Sequence, residues 1–201
     1  MELDFSKIKA FAFDVDGIMT DGGILADLEG QLFRTFDAKD GFGVRMARMQ
    51  GYPVGVITGG KSASIRARFK GCGVPPEDVY LGSRVKIEDF RDFCNRHGLR
   101  PEEVIFFGDD VPDIEPMQAA GIGICPSDAV DDVKAVADIV STRPGGRGCV
   151  REYIEKTLKL QGRWDFDQQG LQTPVLGTWI CTERKSSWAA APREEGNCWQ
   201  V

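Results

Sequence analysis

The sequence holds a single histidine, His97, and no two cysteines spaced as CxxC. A zinc site of the common Cys/His kind therefore has too few ligands. The six cysteines, Cys72, Cys94, Cys125, Cys149, Cys181 and Cys198, are scattered. That pattern predicts reduced thiols in a cytoplasmic protein, not a disulfide framework. No apolar run is long enough to span a bilayer. Met1–Lys9 has neither the basic start nor the apolar centre of a secretory leader. Long basic runs are absent too, and the formal net charge is −6. These absences exclude nucleic acid and membrane as expected partners. They leave a phosphate substrate open, because a site needs only local positive charge.

What is present is the composition of a globular chain. With 42% hydrophobic residues over 201 positions, it can bury a core without covalent staples. Short apolar runs at Phe11–Val15, Val54–Thr58, Val79–Leu81, Val104–Phe107 and Gly121–Cys125 predict buried strands. Between them, helical spacing is expected over Gly43–Gln50, after an Asp40-Gly41 turn, and over Ser62–Lys70, Lys86–His97 and Asp113–Ala120. A last helix is expected over Gly148–Leu160. Alternating strands and helices predict an α/β fold, a Rossmann-like three-layer arrangement around a parallel sheet. Ile18–Phe36 breaks the alternation. Its Gly22-Gly23 and Glu29-Gly30 pairs flank short apolar runs and predict a β-hairpin insert, with no large cap domain. The expected domain is 1–164. Residues 165–201 carry Trp179, Trp188 and Trp199 but no period, and are expected to be a tail dispensable for chemistry.

Four places carry chemistry. In Asp14-Val15-Asp16-Gly17, residues two apart on a strand face one side, so both carboxylates can meet at the strand's C-terminal edge. Alone, a solvated acidic turn explains this motif better. Gly108-Asp109-Asp110, with Asp113 beyond, also ends an apolar run and offers hard oxygen ligands for Mg²⁺. An acidic helix cap is its plain alternative. Two such clusters repel one another unless a cation lies between them. Ile57-Thr58-Gly59-Gly60 offers a hydroxyl and free N–H groups to a phosphate, although Gly-rich loops are common. Lys86 near a helix start is a point charge for a phosphate, or simply solvated.

In that order and spacing, the four segments resemble the motifs of the haloacid dehalogenase superfamily. The longer stretches DVDGIMTDGGI, FDAKDGFGVR, ITGGKS, YLGSRVK and RPGGRGCVRE resemble the 3-deoxy-D-manno-octulosonate 8-phosphate phosphatases of lipopolysaccharide synthesis over roughly residues 5–164. The resemblance implies a haloacid dehalogenase fold and a Mg²⁺ cofactor. Asp14 would be the nucleophile and Asp16 the acid and base. Asp14, Asp109 and the Asp16 carbonyl would hold the metal, supported by Asp110 and Asp113. Thr58, Gly59 and Lys86 would hold the phosphoryl group. Asp37, Ala38, Lys39, Asp40, Gly41, Arg45, Gly60 and Arg68 would face the sugar. A homotetramer is implied, with neighbouring subunits and Gly145-Gly146-Arg147-Gly148 as a mobile cover. Two positions depart from the family: relatives often carry an arginine at the place of Gly60, and an acidic or amide residue at Val85. Glycine at 60 is expected to open room and to lose a basic contact. A nine-carbon keto-acid phosphate is therefore an alternative substrate. A non-catalytic oligomerisation module and a phospho-receiver domain are alternatives of other classes. The intact Asp14, Asp16, Lys86 and Asp109 argue against the module, and the hairpin and Asp16 against the receiver.

Overall fold

The computed structural model describes residues 3–164. In chain order its regular elements are β1 (Ala10–Phe13), β2 (Leu25–Ala26), β3 (Leu32–Phe33), α1 (Ala38–Met49), β4 (Val54–Thr58), α2 (Ala63–Gly71), β5 (Val79–Leu81) and α3 (Lys86–Arg96). There follow β6 (Val104–Phe107), α4 (Ile114–Ala119), β7 (Ile122–Cys125), α5 (Asp131–Lys134), β8 (Ile139–Val140) and α6 (Cys149–Leu160). Six strands form one parallel sheet in the order β5-β4-β1-β6-β7-β8, and β2 and β3 pair as a separate antiparallel hairpin. The expected three-layer α/β fold, with a hairpin insert and no large cap, is what forms.

The alternation of β1 explains the two cores. Phe11 and Phe13 point to one face, with Val54, Val56, Ile105 and Phe107 beside them and α6 above. Ala10 and Ala12 point to the other, where Phe90, Phe93 and Phe106 fill the space that alanine leaves. Phe90 and Phe106 meet edge to face at 5.4 Å, and the Phe93 ring lies over Gly55. Large side chains opposite small ones fill the interior without voids. Each fully buried phenylalanine contributes about 1.5–3 kcal/mol. Cys72, Cys94, Cys125 and Cys149 are free and buried in these cores.

Helix boundaries depart from expectation at one informative place. Helix α1 starts at Ala38, because the Asp37 carboxylate accepts the N–H groups of Lys39 and Asp40. The Asp40-Gly41 pair, expected as a turn, lies inside the first helical turn. The glycines of this helix serve close packing instead. A Cβ at Gly43 would lie 3.1 Å from Arg151 Cα of α6, and one at Gly41 would collide with the Arg68 guanidinium. Helix α5 and the two-residue edge strand β8 were not expected, being too short to carry a period. The expected dispensable tail, 165–201, lies outside the described residues. Trp164 folds back edge-on to Phe42, and the Arg151 guanidinium stacks over its ring at 4.7 Å. Among the described residues no helix is long and apolar enough to cross a membrane.

Candidate active site

β1 lies between β4 and β6, so three strand ends converge. Asp14 stays in the ladder, its N–H bonded to Phe107 O at 3.1 Å. The chain then wraps around the Val15 carbonyl, which accepts from the N–H groups of Ile18, Met19 and Thr20. Gly17 makes this turn at φ +84°, and any side chain there would collide with the Asp109 carboxylate. The loop is backed by Gly145 and Gly146. Gly146 N–H donates to Ile18 O at 2.9 Å, and a Cβ on either glycine would strike backbone of this loop. The resemblance implied a mobile cover here. In this chain Gly145, Gly146 and Gly148 are buried and form a buttress.

Lys86 opens α3 and is almost fully buried. Its ammonium lies 3.0 Å from Asp14 Oδ2 and 2.7 Å from Asp113 Oδ1. The other oxygen of Asp113 accepts the N–H groups of Asp109 and Asp110 at 3.3 and 3.4 Å. Asp14 Oδ1 and Asp109 Oδ1 are buried with no partner. Oxygens of Asp14, Asp109 and Asp113 fall within 4.8 Å of one another. Burial and the charges of Asp14 and Asp113 push the Asp109 carboxyl up to about 8. Burial and Asp14 push Asp113 up to about 6, against the pull of Lys86. Burial also raises Asp14, opposed by Lys86. For Lys86, burial works against the charge, but Asp14 and Asp113 together outweigh it and raise its pKa. Two orphaned buried oxygens in a crowd of carboxylates fit a hard divalent cation such as Mg²⁺. Asp14 and Asp109 would hold it. Asp113, whose oxygens are already engaged, orients Lys86 and the Asp109 loop.

Asp14, Lys86 and Asp109 line a cleft of about 540 Å³ with Asp16, Thr58, Gly59 and Gly60 on its other walls. Thr58 is buried at the end of β4, and its Oγ1 accepts Gly60 N–H at 3.1 Å, which leaves its hydroxyl proton to donate. Ser83 N–H donates to Thr58 O at 2.9 Å and ties the loop after β5 to the loop after β4. Asp14, Asp16, Thr58, Gly59, Gly60, Lys86 and Asp109 are therefore brought together. Within this chain Asp37, Ala38, Lys39, Asp40, Gly41, Arg45 and Arg68 do not line that cleft. Asp37 caps α1. Ala38, Lys39 and Arg45 lie on the exposed side of that helix. Arg68 covers Gly41 and reaches Asp37 O at 3.4 Å. Asp40 is fully buried, and its two oxygens accept Gly148 N–H at 2.9 Å and Arg151 N–H at 2.8 Å. Its carboxylate caps the start of α6.

Sequence reasoning missed three groups. Ser83 and Arg84 line the cleft, and their place just before Lys86 was the available signal. Arg34, on the return arm of the hairpin, bonds Asp16 through Nε at 2.6 Å and Nη2 at 2.9 Å. Nothing local marks it, since its partner is far away in sequence. Gly60 also differs from expectation. A Cβ there would meet Ile65 Cδ1 at 2.7 Å and Arg34 Nη2 at 3.3 Å, so glycine opens less room than expected.

The comparisons with known proteins agree with this geometry. Residues 43–121 match the family model of haloacid dehalogenase-like hydrolases. The 3-deoxy-D-manno-octulosonate 8-phosphate phosphatase of Escherichia coli is 33% identical over 159 residues, 79% of this chain and 84% of that one. The namesake enzyme of Moraxella catarrhalis, solved with magnesium, phosphate and the sugar acid, superposes with a TM-score of 0.76 at 33% identity, covering 80% of this chain and 91% of that one. That of Yersinia pestis superposes equally well at 29% identity, over 79% and 85%. Identity at this level across most of both chains places this chain in the 3-deoxy-D-manno-octulosonate 8-phosphate phosphatase family of haloacid dehalogenase-like hydrolases.

Proposed function

We propose that this chain hydrolyses 3-deoxy-D-manno-octulosonate 8-phosphate to the free sugar acid and inorganic phosphate. The observation that carries the reading is Asp14: a buried carboxylate at the end of the central strand, steadied by Lys86 at 3.0 Å, among the residues that line the cleft. The Asp14 carboxylate attacks phosphorus. The bond from phosphorus to the sugar oxygen breaks, and Asp16 gives that oxygen its proton. Water then attacks the aspartyl phosphate, its proton passes to Asp16, and Asp14 is released as a carboxylate. Two easier displacements replace one difficult one. Lys86, the Thr58 hydroxyl and the N–H groups after β4 stabilise the phosphoryl oxygens. Mg²⁺, when bound at Asp14 and Asp109, supplies the remaining positive charge.

The phosphatase domain in this reading is residues 1–164. It works in the cytoplasm as a homotetramer. Support for assembly comes from the hairpin, where Leu25, Leu28 and Phe33 stand exposed. A neighbouring subunit would also bring Asp37, Ala38, Lys39, Arg45 or Arg68 to a sugar that they do not reach within their own chain. The eight-carbon substrate is favoured over a nine-carbon one because the space at Gly60 is already filled by Ile65 and Arg34. Discrimination of roughly 10- to 200-fold is expected. The test is kcat/KM for both phosphates on one preparation, with and without Mg²⁺. An advantage for the nine-carbon substrate overturns the choice of sugar, and full activity after chelation overturns the metal.

A further inference from the structure

We propose that Arg34 is a positioning residue for the acid and base Asp16, and that position 60 is glycine to seat the Arg34 guanidinium. The proposal rests on the reaction above, in which Asp16 moves both protons.

The pair is bidentate, Nε to Oδ1 at 2.6 Å and Nη2 to Oδ2 at 2.9 Å. Such a fork holds a carboxylate in one plane, which a single contact or a lysine does not do. The Arg34 side chain is 2% exposed, whereas that of Asp16 is 25% exposed. Asp16 lines the catalytic cleft. Arg34 instead lines a separate hollow beneath the hairpin, with Asp21, Ile24 and Phe33. The guanidinium reaches both Asp16 oxygens from the side of that hollow, and each oxygen keeps a second lone pair for a proton or substrate. Its third nitrogen, Nη1, is buried without a partner. A buried donor left unsatisfied is costly, so the group is held there for Asp16. Nη2 lies 3.3 Å from where a Cβ of residue 60 would be, and Ile65 closes the other side at 2.7 Å. Any larger residue at 60 competes with the guanidinium for this space.

A salt bridge that merely anchored the hairpin would have the same geometry but different consequences. If Arg34 positions Asp16, its loss slows only the steps in which Asp16 carries a proton. The sugar oxygen is a poor leaving group and needs that proton. p-Nitrophenolate leaves without one, so phosphorylation of Asp14 by p-nitrophenyl phosphate is spared, while hydrolysis of the aspartyl phosphate is not.

The experiment compares wild type, Arg34→Met, Arg34→Lys, Gly60→Ala and the Arg34→Met/Gly60→Ala double variant, each saturated with Mg²⁺. For Arg34→Met, kcat on the sugar acid phosphate should fall on the order of 10²-fold, the scale of general acid–base catalysis, with KM little changed. On p-nitrophenyl phosphate the same variant should keep a rapid burst of one product per site and then turn over slowly. Arg34→Lys should recover part of kcat. Gly60→Ala should resemble Arg34→Met, and the double variant should be no worse than either, since neighbours acting through one group are not additive. Unchanged kcat overturns the proposal. So does a burst slowed as much as sugar turnover, the mark of hairpin collapse. Additive losses overturn the role of Gly60. The p-nitrophenyl arm needs no sugar. A wild-type enzyme inactive on the sugar acid phosphate would therefore overturn the substrate reading, while burst against steady state still decides Arg34.

Discussion

Lys86 and Asp113 are bonded at 2.7 Å in the interior, although α3 and the turn that carries Asp113 lie far apart in sequence. Lys86 also serves Asp14, so one ammonium balances two buried carboxylates beside a third, Asp109. Replacing Lys86 with methionine leaves these carboxylates without a countercharge. The metal-free protein should lose about 3–5 kcal/mol, the usual cost of breaking a buried pair, and Mg²⁺ should restore part of it. Turnover should fall by about 10²–10³. Urea unfolding with and without Mg²⁺ and steady-state kinetics check this, and unchanged stability of the metal-free variant would refute the charge balance.

Asp14→Asn should abolish turnover and keep the fold. The amide is nearly isosteric but not nucleophilic, and it removes one charge from a repulsive cluster, so the metal-free variant should melt no lower than wild type. Phosphate release and thermal unfolding measure both halves. Phosphate release near the wild-type rate would remove Asp14 from the mechanism.

Mg²⁺ binding should weaken as pH falls. The folded-state pKa of Asp109 is raised to about 8 by burial and by its acidic neighbours, so near neutral pH the metal-free site holds a proton that Mg²⁺ must displace. Apparent affinity should drop roughly tenfold per pH unit below that value while one proton is released. The sign for stability is the reverse of a salt-bridged carboxylate. Because the folded pKa is above the unfolded one, the metal-free protein loses stability as pH rises from the ordinary aspartate value of 3.8 towards about 8. Stabilisation by Mg²⁺ should grow over the same interval. Calorimetry in buffers of different ionisation enthalpy counts the protons, and affinity independent of pH would contradict the shift.

Asp40→Ala should act on stability and not directly on chemistry. Its two oxygens satisfy the N–H groups of Gly148 and Arg151 at the buried start of α6. Losing both bonds should cost about 2–4 kcal/mol. Denaturant unfolding reads that loss. A variant of full stability with altered KM would return Asp40 to the sugar site.

Five strands were legible because each is a short, mainly apolar run, as a sheet covered on both faces requires. The nucleophile, the metal-site carboxylates and the phosphate loop were legible because each ends such a strand, so their convergence follows once the sheet is parallel. Asp40 and Arg34 were not legible for one shared reason. Each is defined by a partner far along the chain, Gly148 for one and Asp16 for the other, and no local pattern records such a pairing. The start of α1 was hidden because Gly41 and Gly43 look like a turn until the close approach of Arg68 and α6 is seen.

The buttress formed by Gly145 and Gly146 gives the chain an order of assembly. Every motif residue that touches phosphate or metal has left the ribosome once Asp113 has emerged. The loop that carries Asp16 still has no backing then, because Gly146 and the helix that anchors it come later. A chain ending before Gly145 therefore holds all the reactive groups but lacks the backing of the first of its loops. Truncation before Gly145 should therefore cost activity although it removes none of the reactive groups, because the support of the first loop is supplied by the end of the domain.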